Sequence, residues 1–261
     1  MVESLGLLNV AASFVLIALV TGISRWRRLD LERDILWASV RAAAQLGVVG
    51  LVFRVIFESS TAAGLATAWI VAMVVISAWV VTRRAPTVPR LFTPALGAIT
   101  LTTVIVIGVV FGLGILDLSP VSGVVVAGIT IGNTMPSVVL GANRMLETLR
   151  DGRGQIEALL ALGHGHDNAT AHVEQTVLRS ALTPQIERTK VVGIIALPGA
   201  MTGLLLAGVD PVDAIVVQIA VMFLVLGAVA MSVLVITRTI ALRTLTPDLR
   251  LADWVVGLAT T

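Results

Sequence analysis

Seven stretches of about 20 apolar residues recur along this chain, at 4–24, 35–57, 62–82, 91–113, 120–142, 191–209 and 214–237. A helix rises about 1.5 Å per residue, so each stretch matches a bilayer hydrocarbon core of about 30 Å. A chain with this many spanning-length runs has lipid as its solvent. In lipid only helices or closed barrels satisfy the backbone. Composition agrees. Of the 261 residues, 57% are hydrophobic and 13% charged, with a mean hydropathy of +0.98; a water-soluble domain carries about 25% charged residues. The expected fold class is all-α: a polytopic membrane protein of about seven transmembrane helices, forming a single domain over 1–261.

The basic residues sort to alternate turns. Four arginines lie in 25–34, three in 83–90, five arginines and Lys190 in 144–190, and three arginines after 237. Only Arg41 and Arg54 fall within a stretch. The intervening turns hold Glu3, Glu58, Asp117, Asp210 and Asp213, and no lysine or arginine. The positive-inside rule makes the basic side cytoplasmic, with the N-terminus outside and the 238–261 tail inside. Glu3 precedes the first stretch and Arg25, Arg27 and Arg28 follow it. That order is opposite to a cleaved signal, whose positive charge comes first. The basic pI, near 10.3, therefore reflects contact with a bilayer and indicates no nucleic-acid partner. The absence of cysteine excludes disulfides, thiolate metal sites and cysteine nucleophiles. A membrane enzyme would need titratable groups clustered at one depth, and the stretches contain no acidic residue.

The one long hydrophilic segment, 143–190, falls between the fifth and sixth stretches on the cytoplasmic side and is expected to be a coupling segment, a wet excursion from the bundle. Ala169, Val173, Val177 and Ala181 recur every four residues and make one apolar helical face; Pro184 is expected to interrupt it. Residues 157–163 read Glu-Ala-Leu-Leu-Ala-Leu-Gly. A short helix is expected there, with Glu157 favouring its N-terminus and Gly163 stopping it. It reads either as a docking knob or as an interfacial connector. His164, His166 and His172 cluster nearby with Asp167, as a solvated turn or a metal sensor, without zinc-site spacing.

Within the stretches, small residues recur four apart at Gly128 and Gly132, Gly199 and Gly203, and Gly108 and Gly112. This spacing lets helix backbones approach closely, within one subunit or between two. Pro136 and Pro198 would free the carbonyls of Gly132 and Ile194, as healed kinks or as broken helices lining a pathway. Gln45, Asn133 and Gln218 are uncharged polar residues that either bond across helices or offer oxygen to a cation. Arg41 shares a face with Gln45. Met135 and Met201 are soft thioether donors. A metal site is not assignable from these residues. There is no Gly-x4-Gly-Lys-Ser/Thr loop, so the chain does not bind ATP in that way. A stand-alone carrier or channel remains the alternative to an ATP-driven permease.

Residue blocks narrow this choice. Glu157, Ala158 and Gly163 match the offset of the cytoplasmic Glu-Ala-Ala loop of ABC importer permeases, although the nearest downstream proline is Pro184. A closer likeness covers most of the chain. Leu31-Glu32-Arg33-Asp34-Ile35-Leu36-Trp37, with Arg41 and Gln45, resembles the start of helix two in FetB-type ABC transporter permeases. That family includes bacterial iron export permeases and plant aluminium-tolerance permeases. Ala127-Gly128 with Gly132-Asn133-Thr134-Met135 resembles its Gly-Asn-Ala-Met block, and Ala161-Leu162-Gly163 its Leu-Gly-Ala block. Leu197-Pro198-Gly199-Ala200-Met201-Thr202-Gly203, then Gly208-Val209-Asp210-Pro211 and Gln218, resembles its Pro-Gly-Met-Met-Gly segment. Thr134 and Ala200 depart from that pattern, as do His164-Gly165 and Pro136.

The resemblance implies a multi-pass permease of a bacterial cell membrane, working as a homodimer with a separate cytoplasmic P-loop ATPase. ATP and magnesium would then sit on that partner and no cofactor on this chain. The cargo would be a metal cation, iron first. Glu157, Ala158, Leu162 and Gly163 would couple to the ATPase. Arg41, Gln45, Asn133, Met135, Pro198, Met201 and Gln218 would line the pathway, and Gly128, Gly132, Gly199 and Gly203 would pack helices.

Overall fold

A computed structural model describes residues 7–59, 61–246, 248 and 250–256, with side-chain environments from residue 14 onward. The described residues form helices α1 (Leu7–Arg27), α2 (Glu32–Glu58), α3 (Ala62–Arg84), α4 (Phe92–Gly112) and α5 (Pro120–Asp151). They continue as α6 (Arg153–Ala161), α7 (His166–Val191), α8 (Gly199–Leu206), α9 (Pro211–Ala241) and α10 (Asp253–Val256). Among them there is no strand beyond two isolated bridges. Local chemistry starts the two longest helices. Ser119 Oγ accepts from the Ser122 N–H at 3.1 Å ahead of Pro120, and Asp210 Oδ1 accepts from the Val212 N–H at 2.8 Å ahead of Pro211. Each is a side-chain cap followed by a proline whose missing N–H costs nothing there.

Five of these helices, α2, α3, α4, α5 and α9, are long and apolar enough to cross a membrane. The chain is therefore a polytopic helical membrane protein. The core lies between α3, α4, α5 and α9, where Val81, Ile99, Ala127, Val138, Met145 and Ile236 are fully or almost fully buried in one cluster. α2 stands apart. Only 6% of its apolar window is buried, against 28–39% in the other four, and Ile56 is its one buried residue. Ile56 packs with Ala66 and Val124, and Phe53 meets Trp69 edge-on at 5.9 Å between ring centres. α2 thus meets the core helices at one end only, and its other neighbour is α1.

Those contacts also define the ends of the bundle. Ile56, Ala66 and Val124 bring the α2–α3 and α4–α5 turns together, and these carry the acidic residues Glu58 and Asp117. At the other end Arg243 donates to the carbonyls of Pro89 and Arg90 at 3.2 and 3.1 Å, and Arg150 to that of Val255 at 3.1 Å. The arginine-bearing turns after α3, α5 and α9 gather there.

Two expectations need correction. The apolar stretch 191–209 does not form a spanning helix. Its helix, α8, has 8 residues and is about 12 Å long. A tight turn precedes it, in which the Gly193 N–H bonds the Ala196 carbonyl at 2.9 Å with Gly193 at φ 89°. Pro198 is the extended N-cap of α8; it starts a helix rather than breaking one, so the Ile194 carbonyl is not orphaned by it. Nor is 143–190 a separate excursion. α5 continues to Asp151, and α7 runs 26 residues through Pro184 without a break. Ala169, Val173, Val177, Ala181 and Gln185 are buried on both sides of that proline, and this packing holds the helix together across the missing hydrogen bond.

α7 is antiparallel to α9. His166 Nε2 lies 2.8 Å from the Ala241 carbonyl, Glu174 bonds Arg238, and Ala181 shares a buried cluster with Val225, Val229 and Val233. The polar helix thus climbs the bundle alongside the apolar one.

Candidate functional site

At the basic end, α6 presents a compact knob. Ile156 is buried and roots it in the core, while Glu157, Ala158, Ala161 and Leu162 point away from the protein. Leu162, a large apolar side chain, is 77% exposed. Gly163, at φ 85°, closes the helix. Its N–H bonds the Leu160 carbonyl and the His164 N–H bonds the Leu159 carbonyl, both at 3.0 Å, which is a Schellman ending that favours glycine. Gly163 stops the helix as expected. Glu157 does not begin it; it sits one turn in and pairs with Arg153 Nε at 2.7 Å.

The chain leaving the knob is clamped to α9. Arg238 donates to Asp167 Oδ1 at 2.8 Å and to Glu174 Oε1 at 3.1 Å. His166 Nε2 faces the Ala241 carbonyl, which can only accept, so this nitrogen carries the hydrogen. The hydrogen bond from Arg238 is the chief cause that holds the Asp167 carboxyl below its ordinary pKa. Sequence reading did not single out Arg238 or Glu174. Their signal was an arginine in the last turn of an apolar helix and two carboxylates seven residues apart, on one face of another. Of the three histidines, His164 and His172 are exposed and do not converge with His166. Among the described residues no group of three His, Asp or Glu side chains is placed to hold a metal.

Higher in the bundle, Gln218 is buried on α9 and its Oε1 accepts from the Met201 N–H at 3.2 Å. Pro198 offers no capping side chain, so α9 supplies the cap for α8. Asn133 Nδ2 donates to the Ile129 carbonyl at 2.7 Å within α5, and Met135 packs against the main core. Pro198, Met201 and Gln218 therefore come together; Asn133 and Met135 sit on α5. Arg41 and Gln45 do not join them. Both are exposed on α2, on the part away from its contact with α3. The glycines divide as well. A Cβ on Gly128 would meet Met73 of α3 at 3.6 Å, whereas Gly132, Gly199 and Gly203 face open space. A cavity of about 820 Å³ between α3, α4 and α5 is lined by apolar side chains such as Ile70, Val74, Leu96 and Phe111.

The sequence profile of the Uncharacterised protein family (UPF0014) matches residues 7–245. The chain belongs to the UPF0014 family. Three relatives show its range. The rice (Oryza sativa subsp. japonica) UPF0014 membrane protein STAR2 is 36% identical over 227 residues, covering 87% of this chain and 79% of the rice protein. The Escherichia coli (strain K12) protein described as "Probable iron export permease protein FetB" is 33% identical over 227 residues, 87% of each chain. Arabidopsis thaliana Protein ALUMINUM SENSITIVE 3 is 30% identical over 227 residues, covering 87% of this chain and 83% of that one. No solved structure matches the chain. A UPF0014 chain with five span-length helices is a multi-pass membrane protein, and its Escherichia coli relative is described as a permease.

Proposed function

We propose that this chain is the membrane-spanning subunit of an ATP-driven exporter. Two copies form the pathway, a separate P-loop ATPase supplies the energy, and the cargo is a metal such as iron. The observation that carries this reading is the α6 knob. A short helix, rooted by Ile156 and closed by Gly163, holds Glu157, Ala158 and Leu162 outward at the basic end of the bundle. Leu162 beside Glu157 and Ala158 on a rooted helix offers a protein partner an apolar contact with a charged rim. The relative named as an iron export permease supports the cargo. The clamp of Arg238 on Asp167 and Glu174 gives the knob a rigid link to α9, and Gln218 links α9 to α8. Movement of a docked partner would then reach α8 through these packed elements.

Purification from native membranes tests the assembly. The expected result is co-elution with a soluble P-loop ATPase, lost on Leu162→Asp. Its ATPase rate in liposomes should rise with a transition metal supplied on the ATPase-bearing face, from which export begins. A chain that purifies alone and transports down a gradient would overturn the reading in favour of a stand-alone carrier.

A further inference from the structure

α7 presents a polar face where an apolar one is expected. Its packed side, from Ala169 to Gln185, lies on α5 and α9. α9 carries no charged residue from Ala214 to Thr237, nor α5 from Pro120 to Asn143, so these lengths set membrane depth. The antiparallel register puts Ala181 level with Val225 to Val233. Seven and nine residues further, about 10 and 14 Å along the helix, Arg188 and Lys190 approach the level of Gln218. The opposite side of α7 is exposed through Thr176, Arg179, Ser180, Thr183, Glu187 and Lys190.

Such a face is not stable against acyl chains, where charged side chains and free backbone groups are costly. Pro184 adds to the cost. It has no N–H for the Ser180 carbonyl, and both residues are exposed. Water would satisfy the groups left without a partner. The charge is also unbalanced. Lys190 pairs with Glu187 at 2.8 Å, while neither Arg179 nor Arg188 has a carboxylate partner among the described residues.

We infer that the open face of α7 is the wall of a water-filled, electropositive path at membrane depth, and that the species passing it is anionic. A metal cargo passes as a complex of net negative charge, because an electropositive wall repels the bare cation. This rests on the permease reading and names the form in which its cargo moves.

The chain contains no cysteine, so single-cysteine variants report one position each. Thr176→Cys, Ser180→Cys and Thr183→Cys sample the open face, and Val177→Cys and Ala181→Cys the packed face. Each is treated in leaky membranes with an anionic and a cationic methanethiosulfonate, and thiols are counted after denaturation to normalise for inserted protein. Open-face thiols should react and packed-face thiols should stay silent. The anionic reagent should be favoured about tenfold over its preference for a small free thiol. Arg179→Gln with Arg188→Gln, in the Ser180→Cys background, should abolish that preference and leave the position reactive. Open-face thiols that react only with a lipid-soluble maleimide would overturn the path. Equal rates for the two charged reagents, or a preference that survives both glutamines, would overturn its sign. Loss of ATPase co-elution leaves this labelling pattern unchanged, so the two readings fail separately.

Discussion

Single side chains do much of the positioning. Gln218 substitutes for a cap that Pro198 cannot provide, and it reaches across from another helix to do so. Gln218→Leu should loosen the start of α8 by about 1 kcal/mol, the usual loss of a helix cap. Hydrogen exchange at Met201 and Thr202 should speed up while α9 stays protected; unchanged exchange would show that the bond is idle. Gly163 has a comparable local role with a different consequence. Its φ of 85° costs an L-residue roughly 1–2 kcal/mol. Gly163→Ala should therefore weaken ATPase co-elution, whereas Gly154→Ala, within α6 and facing open space, should leave it intact. Equal losses would mean that helix ending is not what the partner reads. Gly163 was legible from its place after an apolar run. The role of Gln218 was not, because its partner amide lies 17 residues away, at the start of a short helix that sequence reads as the middle of a spanning one.

At the scale of elements, α7 depends on both its apolar stripe and its clamp. Of the two carboxylates on Arg238, Glu174 has a side chain 16% exposed and Asp167 one 71% exposed. Solvent screens the second pair more strongly. Glu174→Gln should lower stability in detergent by about 1 kcal/mol and Asp167→Asn by clearly less; the reverse order in thermal unfolding would refute this account. The pH dependence follows from Asp167. Its folded pKa is lowered, so its contribution is fully present above the unfolded value and is lost as pH falls through the folded one. Stability should therefore be flat through the neutral range and fall on the acid side, and Asp167→Asn should flatten that acid limb. The stripe of Ala169, Val173, Val177 and Ala181 was readable as a helix face. That the helix runs through Pro184 was not, because proline's local penalty is outweighed only by packing on both sides of it. The apolar run 191–209 misled for the converse reason. Hydropathy counts side chains and does not register that Gly193 and Pro198 end and restart the backbone.

Over the whole molecule, α2 touches the bundle near one end only, and its Arg41 and Gln45 are left open. A charged side chain within a span calls for a protein or water surface, which a second copy would supply. Gln45→Cys in the cysteine-free chain should form intersubunit cross-links with a short bismaleimide in native membranes; a purely monomeric product would place this face in lipid. Sequence by itself determined that the protein crosses a membrane several times and that most of its arginines collect at one end. Hydropathy and charge are sums over side chains facing a fixed solvent, and they need no knowledge of neighbours. The tertiary structure alone decided which segment climbs the bundle beside α9, where α8 is pinned, and which knob is left outside. Each of those depends on contacts between residues distant in the chain, and packing there overrides the local preference of the backbone.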